Sequence, residues 1–164
     1  MRRITYAQHT TINEDKSRLE IERLLMKQGC QDIASRRSLN FSAIACVLHD
    51  RQLRFTLRLP TLDDYLKTDK GRRRSHSQAQ VARDQDIRRR WRSLAFVIKA
   101  HFVEVADGIA KFDDAFMQYI VLPNGQTVAE WMVPQIEQIY LTGQMPSTLI
   151  ALPAPQPEGQ IIDG

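Results

Sequence analysis

A chain of 164 residues, 43% hydrophobic and 26% charged, has the length and composition of one globular domain and is long enough to bury a core unaided. No apolar run approaches the ~18 residues that a membrane span needs, and the start, MRRITYAQHTT, lacks the apolar segment of a secretory signal. Two cysteines, Cys30 and Cys46, make a poor disulfide framework. We therefore expect an intracellular protein with reduced thiols and no membrane partner.

The net charge of +4 is distributed unevenly along the chain. Residues 70–99 hold ten basic and two acidic residues, whereas residues 100–164 hold one lysine and eight acidic residues. A basic block ahead of an acidic carboxyl-terminal third is the compositional sign of an anionic partner.

The first part of the chain predicts one helix followed by three strands. Residues 11–29 combine capping-box pairs with apolar residues at helical spacing, and Gly29 supplies the left-handed stop. Strands are predicted at residues 30–35, 39–48 and 51–60. The second is apolar on both faces, as in a central strand, and the third alternates strictly. A tight turn at residues 49–52 makes the last two an antiparallel pair.

A long amphipathic helix is predicted from about Ser77, after a polar connection that contains Gly71. Apolar residues recur there at steps of three and four and form one stripe: Ile87, Trp91, Leu94, Ile98, Phe102, Val105 and Ile109. We expect the stripe to pack on the sheet, with a break in the helix at Gly108.

Shorter elements are predicted for the carboxyl-terminal third. A helical piece at residues 111–120 precedes a Pro-Asn-Gly turn and a helix with Thr127 and Glu130 as its capping box. Pro134 is expected to kink or restart this helix, because proline lacks the amide hydrogen and clashes with the preceding turn. Residues 147–164 are Pro-rich and predicted to be disordered, or ordered only on a partner.

Together these elements predict an α+β fold. It consists of an amino-terminal helix, a three-stranded antiparallel sheet, a long amphipathic helix packed on it and short carboxyl-terminal helices, in a single domain over residues 1–146. The order of helix, three strands and helix occurs in several small α+β domains, the double-stranded RNA-binding domain among them, and order alone does not assign that identity.

The basic block predicts a phosphate-binding surface, because guanidinium groups are always charged and match phosphate oxygens with two parallel hydrogen bonds. The predicted contacts to nucleic acid are Lys70, Arg72, Arg73, Arg74, Arg88, Arg89, Arg92 and Lys99, with Arg54 and Arg58 on the polar face of the third strand extending the surface. The alternative is a solvated helix face, but such faces normally interleave glutamates at i+4, which are missing here. Trp91 lies on the apolar stripe, which favours core packing over base stacking.

Catalytic and metal sites are not predicted. Cys30, Cys46, His49 and His76 lack the close pairing of zinc ligands, and neither a Gly-rich phosphate loop nor a nucleophile elbow is present. His101 falls at the edge of the apolar stripe and is predicted to lie at the margin of the core. We expect a protein that is not an enzyme and needs no cofactor.

Four stretches, RLEIER, LRFTLRLP, RRRWRSLAFVIKA and FMQYIVLPNGQTVAEWMVPQIEQIYLTGQMP, resemble a group of small phage and prophage proteins, over roughly residues 5–147. The resemblance implies a mobile-element origin and action in the bacterial cytoplasm, and it implies no functional residue. Two hypotheses follow. The first is a phage accessory protein that binds nucleic acid in genome maintenance, recombination or regulation. The second is a phage inhibitor, similar in role to an anti-CRISPR protein, that binds a host defence or nucleic-acid-processing complex.

Overall fold

The first helix, α1 (Ala7–Lys27), begins earlier than predicted in the computed structural model, which describes residues 7–145. Its end has the predicted glycine stop: Gly29 has a φ of 85°, and the amides of Gly29 and Cys30 donate to the carbonyls of Met26 and Leu25. This paired arrangement satisfies the last carbonyls of the helix and turns the chain toward the sheet.

Three antiparallel strands follow in the spatial order β1 (Gln31–Arg37), β2 (Phe41–Leu48) and β3 (Arg51–Arg58). The turn between β2 and β3 is shorter than predicted. Leu48 pairs directly with Arg51, so only His49 and Asp50 form the turn, with φ values of 49° and 57°. Two consecutive left-handed residues give a turn whose twist matches that of the flanking strands.

Buried and exposed side chains alternate along β3, so one face of the sheet packs against the core. Leu53 and Phe55 are fully buried beneath the helices, while the side chains at even-numbered positions, from Gln52 to Arg58, lie on the opposite face. At the other edge, β1 is largely exposed and contains an irregularity between Gln31 and Ala34, where Asp32 has a φ of 50°. The sheet therefore has one helix-covered face and one open face.

The long helix α2 (His76–Ala106) is confirmed, and it begins with a capping box that the sequence reading did not include. The Ser75 side chain accepts from the amide of Gln78, and the Gln78 side chain accepts from the amide of Ser75. These reciprocal bonds satisfy two amides that have no partner in the first turn.

Most of the predicted apolar stripe is buried, with one error at its end. Ile87, Trp91, Ile98 and Phe102 are buried in a core formed by α1, the sheet and α2, while Leu94 and Val105 pack against it half-buried. The helix packs against α1 as well as against the sheet. Ile109 lies beyond the end of the helix, after Gly108 with a φ of 70°, and is 76% exposed. Its assignment to the stripe was wrong, because the periodicity continued in sequence past the point where the backbone turned.

The carboxyl-terminal elements are α3 (Phe112–Phe116), a 3-10 turn (Met117–Tyr119) and α4 (Val128–Thr142). The capping box of Thr127 and Glu130 is confirmed, as is the left-handed stop at Gly143. Of the kink or restart expected at Pro134, the restart does not occur, since α4 continues through this residue. An internal proline removes one backbone hydrogen bond of a helix, which need not end it.

The chain thus has the predicted α+β fold, with the elements in the predicted order. Between residues 7 and 145 no helix is both long and apolar enough to cross a membrane. The predicted disordered segment at residues 147–164 lies outside the described residues.

Candidate nucleic-acid interface

Basic side chains from two helices meet in a crevice between α1 and α2. The crevice has a volume of about 240 Å³ and is lined by Lys16, Ser17, Glu20, Arg88 and Arg92. Three of these residues are basic and one is acidic, and neither arginine has an ion-pair partner within the described part of the chain. Unpaired guanidinium groups that line one crevice are free to bind an anion.

One flank of α2 extends this basic crevice. Arg88, Arg92 and Lys99 are separated by four and seven residues, so they recur on the same side of the helix, as predicted. Arg92 and Lys99 are exposed and Arg88 is half-buried beside α1. From Arg88 to Lys99 the helix axis covers ~17 Å, about half of the ~34 Å of one turn of a duplex. A duplex laid along this flank would meet basic side chains over about half a turn.

The opposite flank of α2 has a structural role. Arg83 donates to the carbonyl of Pro60 at 2.8 Å, and Arg90 donates to Asp86 at 2.8 Å. Asp86 also accepts from the hydroxyl of Tyr65 at 2.5 Å. The bonds of Arg83 to Pro60 and of Tyr65 to Asp86 hold α2 to the segment between the sheet and the helix, and Arg90 fixes Asp86 from within α2, so two arginines of the basic block serve the fold.

Asp86 has a perturbed pKa as a result. Burial alone would raise the pKa of this carboxyl, but hydrogen bonds from Tyr65, Arg89 and Arg90 together outweigh burial and lower it to about 2. The same group raises the pKa of Arg90. Arg89, one of the predicted contacts, shares Asp86 through Nη2 at 2.5 Å while its side chain stays 68% exposed. It is the only predicted contact of α2 that has an ionic partner in the described residues.

The basic loop before α2 is a folded turn. Thr68 and Arg72 exchange hydrogen bonds, Gly71 has a φ of 76°, and the backbone at Arg73 pairs with Lys67. Arg72 and Arg73 are exposed on this turn, as is Lys70, and their side chains have no ionic partner within residues 16–145. The sequence predicted only a polar connection here. It did not predict a folded turn, because the turn depends on the hydrogen bonds of Thr68 and on the positive φ of Gly71.

Arg74 differs from its two neighbours. Its guanidinium Nη1 donates to the carbonyls of Lys67 and Tyr65 at 2.9 and 3.3 Å, and its backbone amide donates to the carbonyl of Leu66. The side chain is half-buried and braces the loop. Of the four predicted contacts in the loop, Lys70, Arg72 and Arg73 therefore have no ionic partner in the described residues, and Arg74 has a structural role.

The predicted extension through Arg54 and Arg58 lies on the other side of the molecule. Both side chains project from the open face of the sheet, whereas α2 covers the opposite face. Arg54 is held by Glu130 at 2.5 Å and by the carbonyl of Gly125 at 2.9 Å. The structure thus brings Arg88, Arg92 and Lys99 onto one flank of α2 and does not join them to the sheet arginines.

Three residues with a place in these surfaces were missed by sequence reasoning. Lys16 enters the crevice from α1, and Arg36 and Phe41 lie on the open face of the sheet. A helix wheel of α1 would have placed Lys16 on a polar side, but nothing local indicates that this side faces α2.

The residues considered for metal binding or catalysis do not form a ligand set, although Cys30 and Cys46 are in contact. Among the residues described, no group of three or more His, Cys, Asp or Glu is placed to hold a metal ion. Cys30 and Cys46 are free thiols, both buried as expected, and the contact with Cys30 together with burial raises the pKa of the Cys46 thiol. His101 contacts Glu104 at 2.6 Å and packs on Phe116, at the margin of the core as predicted.

Comparison with known proteins does not assign a family or a function to this chain. The chain matches no protein-family model, no curated protein and no solved structure.

Proposed function

We propose that this protein binds the phosphate backbone of nucleic acid through the crevice between α1 and α2 and the adjoining basic flank of α2. The observation that carries the proposal is the convergence of Lys16, Arg88 and Arg92 on one crevice, opposed by Glu20 alone among its lining residues. The protein acts without catalysis, as an accessory protein of a phage or other mobile element in the bacterial cytoplasm. Genome maintenance, recombination and regulation all need this kind of contact.

Electrostatics supports backbone contact over base recognition. Arginines that lie in line along a helix neutralise phosphates and release condensed counterions, and this contribution to affinity is independent of sequence. Trp91, the aromatic residue nearest to the arginines in sequence, is 3% exposed and is not accessible to a base. We therefore expect similar affinity for unrelated sequences, with a strong dependence on salt.

The test replaces Arg88 and Arg92 with glutamine, which removes charge and keeps most of the side-chain length. Binding to a duplex of about 20 base pairs is measured by fluorescence anisotropy from about 50 to 200 mM salt. The double variant should bind more weakly to every sequence, and the slope of log affinity against log salt should fall by about 1.8, or ~0.9 per contact. Arg92 is exposed, and the half-buried Arg88 has no ion-pair partner among the described residues, so the variant should stay folded.

The matched control removes the same net charge elsewhere, with Arg51→Gln and Lys111→Gln. Arg51 pairs with Asp113 at 3.2 Å near α3, and Lys111 is exposed at the start of α3. This control should retain the wild-type salt slope. The proposal fails if the wild-type protein does not bind a duplex near 50 mM salt, or if both double variants lose affinity equally.

Exposed apolar side chains on α4 favour a second function, binding of a host protein as an inhibitor. No residue of α4 is buried; Tyr140 and Leu141 are 87% and 78% exposed, and Trp131 and Ile136 are exposed as well. Glu130 and Glu137 are the charged residues of this helix. The chemistry fits a partner whose surface is apolar with a basic rim, as many nucleic-acid-processing proteins have.

This second function is tested with Tyr140→Ser and Leu141→Ser together. A host protein retained after nuclease treatment is purified, and its affinity for the wild-type and variant proteins is compared. An inhibitor that binds through α4 should lose at least tenfold in affinity in the variant and none in the Arg88/Arg92 variant. Sedimentation of each protein alone shows whether α4 instead mediates self-association. Self-association of the wild type that is lost in the Tyr140/Leu141 variant would reject the hypothesis that α4 binds a host protein.

A further inference from the structure

The open face of the sheet contains a groove that the proposed function does not use. Its volume is about 390 Å³, at the lower end of the ~300–1,000 Å³ typical of ligand sites. It is lined by Ala34, Ser35, Arg36, Phe41, Ala43, Ala45, Arg54, Thr56 and Glu130. The groove lies opposite the face covered by α1 and α2, so its chemistry is separate from that of the helix crevice.

Short side chains create the space. Ala34, Ala43 and Ala45 form the floor from β1 and β2, where Ala34 pairs with Ala45 across the two strands. The open face of an antiparallel sheet normally carries polar residues, whereas this floor is apolar and flat. The sequence of β2 is apolar on both faces, which predicted a central strand. On the open face of the sheet, these apolar residues form the floor of the groove.

An aromatic ring flanked by two arginines stands at one end of the groove. Phe41 is half-buried, and the Arg36 guanidinium lies 6.0 Å from the centroid of its ring. Arg58 is paired with Phe41 in the register of β2 and β3. Directly opposite residues of an antiparallel pair have Cβ atoms ~5 Å apart, so a ligand on Phe41 lies within reach of both guanidinium groups.

The opposite wall is fixed by α4. Glu130 accepts from Arg54 and also from the backbone amide of Thr127, the amino-terminal cap of α4. Arg54 is therefore committed to the protein, while Arg36 and Arg58 have no ionic partner in the described residues. The face carries three arginines and one glutamate, so it complements an anion that presents an apolar, planar group.

We propose that this groove binds an unpaired nucleotide of a single-stranded nucleic acid. The base stacks on Phe41 over the alanine floor, and the flanking phosphates contact Arg36 and Arg58. A duplex does not fit this chemistry, because its base faces are already stacked on each other and are not available to a side chain. The inference rests on the proposed function only for the class of partner, since the two surfaces share no residue.

The experiment uses the full-length protein and fluorescein-labelled strands of about eight nucleotides, one of oligothymidylate and one of oligouridylate. Anisotropy is measured at about 50 and 200 mM salt. Phe41→Leu removes the aromatic face and keeps an apolar side chain, Arg58→Ala removes one phosphate contact, and Leu39→Ala is the control. Leu39 is 88% exposed in the turn between β1 and β2 and does not line the groove.

Phe41→Leu should weaken single-strand binding by about 5- to 100-fold without changing the salt slope, because stacking on phenylalanine releases no counterions. Arg58→Ala should lower the slope by ~0.7, the value per contact for single strands. Leu39→Ala should bind like the wild type. Stronger loss on one of the two strands identifies DNA or RNA as the source of the nucleotide.

The proposal is overturned if Phe41→Leu and Arg58→Ala bind single strands like the wild type, or if Leu39→Ala loses as much as Phe41→Leu. Should Phe41→Leu lack a cooperative unfolding transition, Arg58→Ala decides, because that side chain is exposed. Duplex binding by the Arg88/Arg92 variant is scored separately. Loss of duplex binding with intact single-strand binding leaves the groove proposal standing, and the reverse result leaves the helix crevice standing.

Discussion

Asp86 determines which arginines of the basic block have a structural role. Its carboxylate binds Tyr65, Arg89 and Arg90, while Arg88 and Arg92 on the other side of α2 have no ion pair among the described residues. The ten basic residues of the block are similar in sequence, so only the position of acidic and carbonyl oxygens in space separates them. Sequence reasoning predicted the flank correctly and did not predict that Arg74 would brace the loop.

Asp86 also predicts how stability depends on pH. Its pKa falls to about 2 in the folded protein, from 3.8 ordinarily, so its contribution is fully present above about pH 4 and is lost as the pH falls toward 2. Asp86→Asn should cost about 2 kcal/mol at neutral pH and flatten the fall of stability between pH 4 and 2. The measurement is urea unfolding across this pH range.

The control for this prediction is Asp69→Asn, because Asp69 is exposed in the basic loop and has no ion pair among the described residues. That variant should follow the wild-type curve. An Asp86→Asn protein with wild-type stability at neutral pH would contradict the role of this carboxylate in holding α2.

Burial along the apolar stripe predicts an order of destabilisation. Ile98 is fully buried in the core and Leu94 is half-buried at its edge. Ile98→Ala should lower the free energy of unfolding by about 2–5 kcal/mol, and Leu94→Ala by about 1–2 kcal/mol. Chemical denaturation of the two variants checks the order. If Leu94→Ala lowered the free energy of unfolding more than Ile98→Ala, this prediction would be wrong, and Leu94 would be buried by another segment or by a partner.

At the scale of elements, type and order follow from the sequence because periodicity reports the environment of each side chain. The seven-residue stripe placed α2, and the alternation at Leu53 and Phe55 placed β3. Backbone detail was less accessible. The two-residue turn at His49 and Asp50 requires positive φ at both residues, which glycine and asparagine adopt more readily, and the His49 ring packs on Phe112 at 4.8 Å. A tertiary contact of that kind leaves no local sequence signal.

Pro134 was expected to kink or restart α4, and the helix continues through it without a restart. An internal proline removes one hydrogen bond and strains the preceding turn, at a cost of about 3 kcal/mol in an isolated helix. Pro134→Ala should therefore slow amide hydrogen exchange in residues 135–142, with a gain of about 1–3 kcal/mol in local stability.

A counterpart at the end of the helix should act in the opposite direction. Gly143 has a φ of 68°, where a Cβ is strained, so Gly143→Ala should speed exchange in the last turn by about fivefold, or ~1 kcal/mol. For the proline variant, faster amide exchange in residues 135–142 would contradict the prediction and show that Pro134 stabilises α4.

The whole molecule separates its charges and its surfaces. Basic residues concentrate on α2 and on the loop before it, an apolar surface lies on α4, and the sheet presents a third, mixed surface. Sequence composition predicted the asymmetry of charge but not the number of faces, because the side of the sheet that the helices cover is decided by the core. For that reason Arg54 and Arg58 were grouped with α2 and lie across the sheet from it.

A truncated protein of residues 1–146 should unfold cooperatively and with a melting temperature within a few degrees of the full chain. The Pro-rich segment that follows has few large apolar residues, so we expect its removal to cost little burial. Thermal unfolding followed by circular dichroism checks this. Loss of the cooperative transition on truncation would place part of the segment in the core.

The two edges of the sheet differ, and this has a consequence for solubility. The edge at β3 is covered where Leu53 bridges to Ile120 and the Val121 amide donates to the carbonyl of Gln52. The edge at β1 pairs with no other strand in the part of the chain described, and it carries the irregularity at Asp32 and the charge of Arg36. Addition of a further strand should therefore be confined to the β1 edge, where the irregular backbone at Asp32 and the charge of Arg36 disfavour pairing with an incoming chain.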